Sequence, residues 1–415
     1  MTHDISGRFR LPGFSVLRNR FSPSSRNVLT NLGLVGIAAA VGVTAWSGQV
    51  LALPLACMFP ALWAFASTRL VAAMVSMAYF LSASRDLPQG ASTYLGIGLI
   101  ESTGLWIAAS ASFVFVHTLL WTSKPGWKRA ARYGAAIILM AIPPFGITGW
   151  AGPITAAGVL FPGLGWFGLA TAAIGLLVMT TRNWPIAALA LGGVWAWSAA
   201  TWTPPTVPDG WIGINTSFDY SDKAKANDYE QHLATIAMVK RVADEGHSVI
   251  VLPESAFGTW TPTTERLWTQ NLKGSDVTVL GGAVILNAQG YDNVIVKLTA
   301  TGIDILYRQR MPVPVAMWRP WTAGGAKAEF FRNPVAEVRG LRLAPVICAE
   351  HLLVWPVLQS MVGQPDVLVA IGNGWWAEGS RVVASQVAQV EAWAALFGVE
   401  FIHSFNEITH DDNGT

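Results

Sequence analysis

The chain has 415 residues, of which 52% are hydrophobic and only 13% are charged, and its formal net charge is +2. Ordinary soluble proteins have about 25% charged residues, so this composition argues against a chain that is soluble throughout. The near-neutral charge argues against a nucleic-acid-binding surface. The two cysteines, Cys57 and Cys348, lie in different halves and exclude a disulfide framework.

The acidic residues divide the chain into two regions. Before Pro205 they are only Asp4, Asp86 and Glu101, and the other 22 of the 25 follow it. The first half is therefore predicted to lie in a membrane and the second half in water. The predicted parts are a basic amino-terminal segment (1–26), a membrane domain (27–204), a soluble domain (208–410) and a polar tail (411–415).

Seven apolar runs approach the length of about 20 residues that crosses a bilayer. They are 27–45, 49–67, 70–84, 95–121, 133–150, 154–180 and 185–203. Prolines are predicted to break the second, fifth and sixth of them. Basic residues occupy the amino-terminal segment and alternate loops, with nearly uncharged loops between them. The positive-inside rule then predicts a cytoplasmic amino terminus, and seven spans place the soluble domain in the periplasm of a diderm bacterium, anchored in the inner membrane.

The soluble half alternates strand and helix patterns. Strands are predicted at 211–215, 248–253, 277–286, 293–298, 303–308, 343–348, 367–371 and 401–404, and helices at 227–244, 267–273 and 380–397. Interleaved apolar strands and helices indicate a layered α/β domain.

Two of these strands end on residues with catalytic side chains. The run 249–253 delivers Glu254, and the run 343–347 delivers Cys348. Active sites of α/β folds gather at the carboxyl ends of strands, and a thiol needs only a positioned base to act as a nucleophile. The alternative is a buried structural cysteine, which is the commoner role of this residue type.

Several stretches resemble the nitrilase, or carbon–nitrogen hydrolase, superfamily. They are 251–255, 291–293, 346–350 and 366–376, and the resemblance covers about residues 208–410. The last stretch, together with a preceding membrane region, is similar to apolipoprotein N-acyltransferases. With the sequence Met311-Pro312-Val313-Pro314, the chain is most similar to a family of conjugal transfer proteins of Ti-type plasmids. The resemblance implies an αββα sandwich with a Glu-Lys-Cys triad.

The resemblance also implies roles for individual residues. Cys348 would be the nucleophile that forms a thioester, and Glu254 the general base. The backbone N–H of Ala349 would hold the oxyanion, and Glu350 matches the acidic residue of the family that follows the cysteine by two. Asn373 and Trp376 would line the substrate pocket.

The chain departs from the family pattern at two positions. Gln309 occupies the place of the triad lysine, and Met317 that of a loop glutamate of the acyltransferases. Arg308 and Arg310 flank Gln309, but strand alternation points them to the opposite face. An uncharged donor at Gln309 is expected to stabilise an oxyanion less than a lysine would.

These observations leave two hypotheses of different classes. The first is a membrane-anchored hydrolase or acyltransferase that acts on an amide or acyl group of a lipid-linked or envelope substrate and serves conjugal transfer. The second is a catalytically degenerate scaffold or binding component of a conjugation apparatus. No motif predicts a metal site or a cofactor, and the expected partners are the lipid bilayer and conjugation machinery, without direct nucleic-acid contact.

Overall fold

The computed structural model describes residues 23–218, 229–332 and 335–408. The predicted basic segment before residue 23, the first residues of the helix predicted at 227–244, and the polar tail 411–415 lie outside these ranges. The first half is helical, with α1 (Pro23–Ala45), α2 (Phe59–Phe65), α3 (Arg69–Ala83), α4 (Leu87–Leu95), α5 (Leu99–Leu120), α6 (Trp127–Ala141), α7 (Ala157–Leu160), α8 (Gly165–Met179) and α9 (Trp184–Ala200).

The described part of the helical region has fewer candidate spans than the seven that the apolar runs predicted. Among the described residues, Val28–Ala45 and Leu99–Leu120 are long and apolar enough to cross a membrane, and α3 with α4, bent by 60° at a short break, would make a third candidate. The expected breaks at prolines are confirmed. The run 49–67 begins as a 3-10 helix that contains Pro54, and the run 154–180 divides between α7 and α8 at Pro162. Proline removes a backbone donor and clashes with the preceding turn.

The second half forms two sheets. The first has the order β1-β2-β3-β4-β5, with β6 beside β4, and the second has the order β10-β9-β8-β7. The strands of the first are β1 (Trp211–Gly213), β2 (Val249–Val251), β3 (Thr278–Asn287), β4 (Gly290–Thr299), β5 (Gly302–Arg308) and β6 (Gly325–Ala326). The strands of the second are β7 (Ala336–Val338), β8 (Leu341–Ile347), β9 (Val367–Asn373) and β10 (Glu400–Asn406). Strands β1 to β3 are parallel, as are β8 to β10, so β2 and β8 each present their carboxyl ends beside a parallel neighbour.

The two sheets pack face to face between helices. Their inner faces share one apolar cluster that joins residues such as Val251 and Leu280 of the first sheet to Ile347 and Ile371 of the second. The helices are α10 (Tyr229–Asp244), α11 (Pro262–Asn271), α12 (Val354–Met361) and α13 (Val382–Phe397). α10 and α11 cover the first sheet, and α12 and α13 cover the second. The predicted α/β domain is thus confirmed, with its layers in the order helix, sheet, sheet, helix.

Helix α13 joins this domain to the helical region. It is apolar on nearly all sides, which is typical of a helix that is buried all round. One apolar cluster includes both α13 residues such as Trp393 and residues of α3 and α8. Gly158 lies so close to the Ala392 carbonyl that a Cβ there would overlap it, and the Gly163 N–H donates to the Ala395 carbonyl at 2.8 Å. The two halves of the chain therefore share one core.

Candidate active site

Glu254 and Cys348 lie in one buried pocket between the two sheets. β2 ends just before Leu252-Pro253-Glu254, and β8 ends directly before Cys348. Their side chains interact with each other, and their exposed fractions are only 6% and 8%. The sequence analysis expected the two side chains to meet at strand ends, and the structure places them there.

Both strand ends turn sharply through backbone that non-glycine residues rarely adopt. Cys348 has a φ of 52°, and Ser255, directly after Glu254, has a φ of 66°. Such positive φ values are uncommon for residues with a side chain and persist where the surrounding structure imposes them, often at functional sites. The Gln386 Nε2 of α13 donates to the Cys348 carbonyl at 3.0 Å and holds this turn.

An amide network extends from Glu254 to the strand that carries Cys348. Asn293 on β4 donates through Nδ2 to Glu254 Oε1 at 2.7 Å and to Gln309 Oε1 at 3.0 Å. Gln309 in turn donates through Nε2 to the Ile347 carbonyl at 3.3 Å. Gln309 thus reaches the site, as its place in the sequence predicted, but its amide bridges strands and carries no charge.

Burial sets the protonation of the pair. Loss of solvent raises the pKa of Glu254 to about 7, although hydrogen bonds from Asn293, from the thiol and from the Asn373 N–H oppose the rise. The pKa of Cys348 lies well above its ordinary value, first because of burial and then because of the Glu254 carboxylate. Backbone N–H groups of Ala349 and Asn373 work in the opposite direction by donating to the sulfur. The thiol is therefore neutral at rest, and Glu254 can exchange a proton near neutral pH.

Glu350 faces away from the nucleophile into a second network. Its Oε1 accepts from the backbone N–H groups of Arg310 (2.7 Å) and Met311 (3.0 Å), and its Oε2 accepts from Tyr307 Oη (2.7 Å) and the Ile347 N–H (2.9 Å). These four bonds fix the segment after β5 against the end of β8. Glu350 was expected to be catalytic, but in the structure its carboxylate binds backbone and Tyr307 groups and positions this segment.

The two arginines beside Gln309 also point away from the site. Arg308 forms an ion pair with Asp292. Arg310 is fully buried, donating through Nε to Tyr307 Oη at 2.9 Å and through Nη2 to Ser360 Oγ at 2.9 Å. Strand alternation predicted this orientation, so neither guanidinium supplies the charge that Gln309 lacks.

The two expected pocket-wall residues have different positions. Asn373 contributes its backbone N–H to the pair, whereas its side-chain oxygen accepts from Asn406 at 3.1 Å. Trp376 stands in the loop after β9 and packs on α4 at Gly90. Met317 is buried in the turn after Pro314, where its N–H donates to the Val313 carbonyl at 2.9 Å.

Sequence reasoning assigned no role to three residues of the site region, which are Asn293, Tyr307 and Tyr94, and it did not predict the contact of the Arg310 N–H with Glu350. For Asn293 there was a signal, because it is a polar residue on the same strand face as the buried Ile295.

An open cavity of about 700 Å³ lies beside the site and is lined by Tyr291, Trp318 and Arg319 among others. Its lining includes Tyr291 and Asp292, which directly precede Asn293 on β4, and Asn293 bonds to Glu254.

Comparison with known proteins identifies the family of the chain. The family model described as "Carbon-nitrogen hydrolase" matches residues 104–395, and this match includes part of the helical region. The "Conjugal transfer protein TraB" of Agrobacterium fabrum (strain C58 / ATCC 33970) is 49% identical over 421 residues, covering 98% of this chain and 100% of that protein. The "Probable conjugal transfer protein TraB" of Sinorhizobium fredii (strain NBRC 101917 / NGR234) is 50% identical over 371 residues, covering 88% and 95%.

Two solved structures show weaker likeness. An amidase from Nesterenkonia sp. is 10% identical, with a TM-score of 0.38 over 49% of this chain and 80% of that one. A carbon–nitrogen hydrolase from Helicobacter pylori G27 is 12% identical, with a TM-score of 0.32 over 47% and 72%. The family model and the two close relatives decide the assignment: the chain belongs to the carbon–nitrogen hydrolase family and to its branch of relatives named conjugal transfer proteins.

Proposed function

We propose that this protein is a membrane-anchored amidase or N-acyltransferase that forms a thioester at Cys348 and serves conjugal plasmid transfer. The observation that carries the proposal is the buried, interacting pair of Glu254 and Cys348 at two strand ends. The conjugation role rests on the names of the two close relatives.

The geometry supports a two-stage reaction. As the Cys348 sulfur attacks the carbonyl carbon, Glu254 takes the thiol proton, and the Ala349 N–H turns from the sulfur to the forming oxyanion. The carbon–nitrogen bond, or the carbon–oxygen bond of an ester, then breaks, and Glu254 returns the proton to the leaving atom. Water or an amine next attacks the thioester and passes its proton to Glu254, which restores the thiol. Glu350 takes the role of a positioning residue, and Asn373 acts through its backbone.

The membrane anchor is part of the proposal. Support comes from the candidate spans in α1 and α5, from the bent pair of α3 with α4, and from the near absence of acidic residues before Pro205. We propose an inner-membrane protein with a cytoplasmic amino terminus and a periplasmic α/β domain, to which the bilayer brings a lipid-linked or envelope substrate.

The second candidate function is a scaffold of the conjugation apparatus with no turnover. The observation that favours it is that the Gln309 amide is uncharged and already hydrogen-bonded to Asn293 and to the Ile347 carbonyl. A site that must stabilise an oxyanion without a nearby cation loses a few kcal/mol, by analogy with the removal of one oxyanion donor.

Alkylation of the purified protein tests the chemical part of the proposal. Iodoacetamide should modify Cys348 faster than Cys57, and Glu254→Gln should slow modification of Cys348 by about tenfold or more, since general-base assistance contributes about 100-fold or more. Glu245→Gln changes an exposed glutamate and is the matched control. Equal rates in wild type and Glu254→Gln would contradict the pair.

Plasmid transfer separates the two candidate functions. If the protein acts as an enzyme, Cys348→Ala should reduce transfer as much as deletion of the gene does. If Cys348→Ala transfers like wild type while deletion does not, the scaffold function stands and the enzymatic one fails.

A further inference from the structure

Helix α4 of the helical region contacts the loop that directly follows β9, the strand that pairs with the Cys348-bearing strand β8. Its Tyr94 ring lies 6.2 Å from the Trp375 ring and 6.3 Å from the Trp376 ring, measured between centroids. Its phenol lies within electrostatic reach of Glu254 and Cys348. Tyr94 is 37% exposed, so its ring can be reached from solvent.

Two contacts hold α4 in this position. Gly90 packs against the indole ring of Trp376, and a Cβ at Gly90 would lie only 2.5 Å from that ring. Just before α4, Asp86 Oδ2 accepts from the Arg381 N–H at 3.2 Å, at the start of α13. A larger residue than glycine would move α4 away from the loop that carries Trp376.

The turn that carries the nucleophile is also held by α13. Gln386 on α13 donates to the Cys348 carbonyl at 3.0 Å, one turn from the Asp86 contact. α13 therefore sets the distance between the reactive sulfur and the wall that α4 provides. This arrangement gives the helical region a place in the site in addition to anchoring.

Aromatic and polar side chains meet at this wall. The rings of Tyr94, Trp375 and Trp376 form an aromatic group. Arg319 and Tyr291 line the open cavity, and Arg319 acts electrostatically on Tyr291 and on Tyr94. An apolar group next to a reacting carbonyl would pack on the aromatic rings and leave the polar part of the substrate at the cavity.

We propose that Tyr94 is a specificity-determining residue, whose ring binds the apolar group attached to the carbonyl carbon that Cys348 attacks. This inference rests on the proposed function, because it requires Cys348 to be a nucleophile that Glu254 activates. Aromatic packing on a flat or apolar group accounts for selectivity without any charge at this wall.

Paired alkylating probes test the inference. The rate of Cys348 modification is measured with N-benzyl iodoacetamide and with iodoacetamide in wild type, Tyr94→Phe and Tyr94→Ala. Wild type and Tyr94→Phe should favour the benzyl probe, and Tyr94→Ala should lower the benzyl-to-parent rate ratio by about tenfold, the discrimination that one apolar contact gives. Thr93→Ala, an exposed change on the same helix, should leave the ratio unchanged.

The outcomes separate this inference from the proposed function. If iodoacetamide modifies Cys348 in the Glu254-dependent way but Tyr94→Ala keeps the wild-type ratio, the specificity role fails and the proposed function stands. If Tyr94→Phe loses the preference as fully as Tyr94→Ala, the ring is not the determinant. If wild type shows no Glu254-dependent modification, the proposed function fails and the inference with it. Unchanged iodoacetamide rates in the variants show that the site remains folded.

Discussion

Gln309 is joined to Glu254 through a single amide group. Asn293 Nδ2 donates to an oxygen of each, at 3.0 Å and 2.7 Å respectively. The bridge keeps the carboxylate hydrogen-bonded without a neighbouring positive charge. Burial outweighs the opposing Asn293 hydrogen bond and raises the pKa of Glu254, and burial also keeps the thiol of Cys348 protonated.

Gln309→Lys should increase thioester formation. An ammonium near Glu254 and Cys348 would stabilise the oxyanion and favour the thiolate, and we expect a gain of about tenfold, which corresponds to about 1.4 kcal/mol of barrier. Formation of the acyl adduct can be followed by intact mass with an activated ester. Gln309→Met, of similar length and without charge, is the control. An equal gain in Gln309→Met, or no gain in Gln309→Lys, would show that charge at this position does not limit the reaction.

The stability of the protein should fall as pH rises through the titration of Glu254. The carboxyl has a pKa of about 7 when folded against a reference of 4.5, so the folded state holds a proton that the unfolded state has lost. The unfolding free energy should decrease over that interval by about 3 kcal/mol from this group, and no further above it.

Denaturant unfolding at several pH values measures the slope. Glu254→Gln should flatten it between about pH 4.5 and pH 7, whereas Glu245→Gln should keep the wild-type slope. A Glu254→Gln protein with the full wild-type slope would mean that another buried group is responsible.

Glu350→Ala should destabilise the fold before it affects chemistry. It would leave the Tyr307 hydroxyl and three backbone N–H groups without their acceptor in a buried place. Breaking a buried charged network costs roughly 3–5 kcal/mol, which denaturant unfolding would detect. Glu337→Ala, an exposed change on β7, should cost little. A loss of activity in Glu350→Ala at full stability would instead assign Glu350 a direct chemical role.

The sequence predicted those parts of the fold that depend on local patterns. Strands were predicted at 293–298 and 303–308, and β4 and β5 form them as an antiparallel pair of somewhat greater length. Strands β6 and β7, of two and three residues, were not predicted because such short segments show no periodicity.

The candidate site was predictable where the residue types themselves carried chemistry, as for Glu254 and Cys348. The position of Tyr94 was not, because it depends on the packing of α4 against a loop that follows much later in the chain. The partners of Glu350 were not predicted either, since a carboxylate next to a nucleophile has the same sequence pattern whether it touches substrate or backbone. In the structure, four hydrogen-bond donors surround the Glu350 carboxylate and show that it binds protein groups.

The ends of the helical region differ in charge and in their contacts. At one end, Arg129 donates to the Ala64 carbonyl at 2.9 Å, and Ser67 donates to Asn31 at 3.0 Å, so the basic loops meet the start of α1. At the other end, the Trp46 carbonyl accepts from Ser385 at 3.1 Å, and Asp86 contacts the start of α13. The nearly uncharged loops therefore face the α/β domain.

This arrangement predicts the topology in a membrane. Basic loops remain in the cytoplasm, so a periplasm-active reporter should be active when fused after Pro205 and inactive when fused at Lys128. Adding two lysines to the loop at Trp46–Gly48 should weaken this asymmetry, whereas two serines there should not. The reverse reporter pattern would place the Cys348 pocket in the cytoplasm and exclude an envelope substrate, because the loops that contact α13 lie on the same side as the pocket.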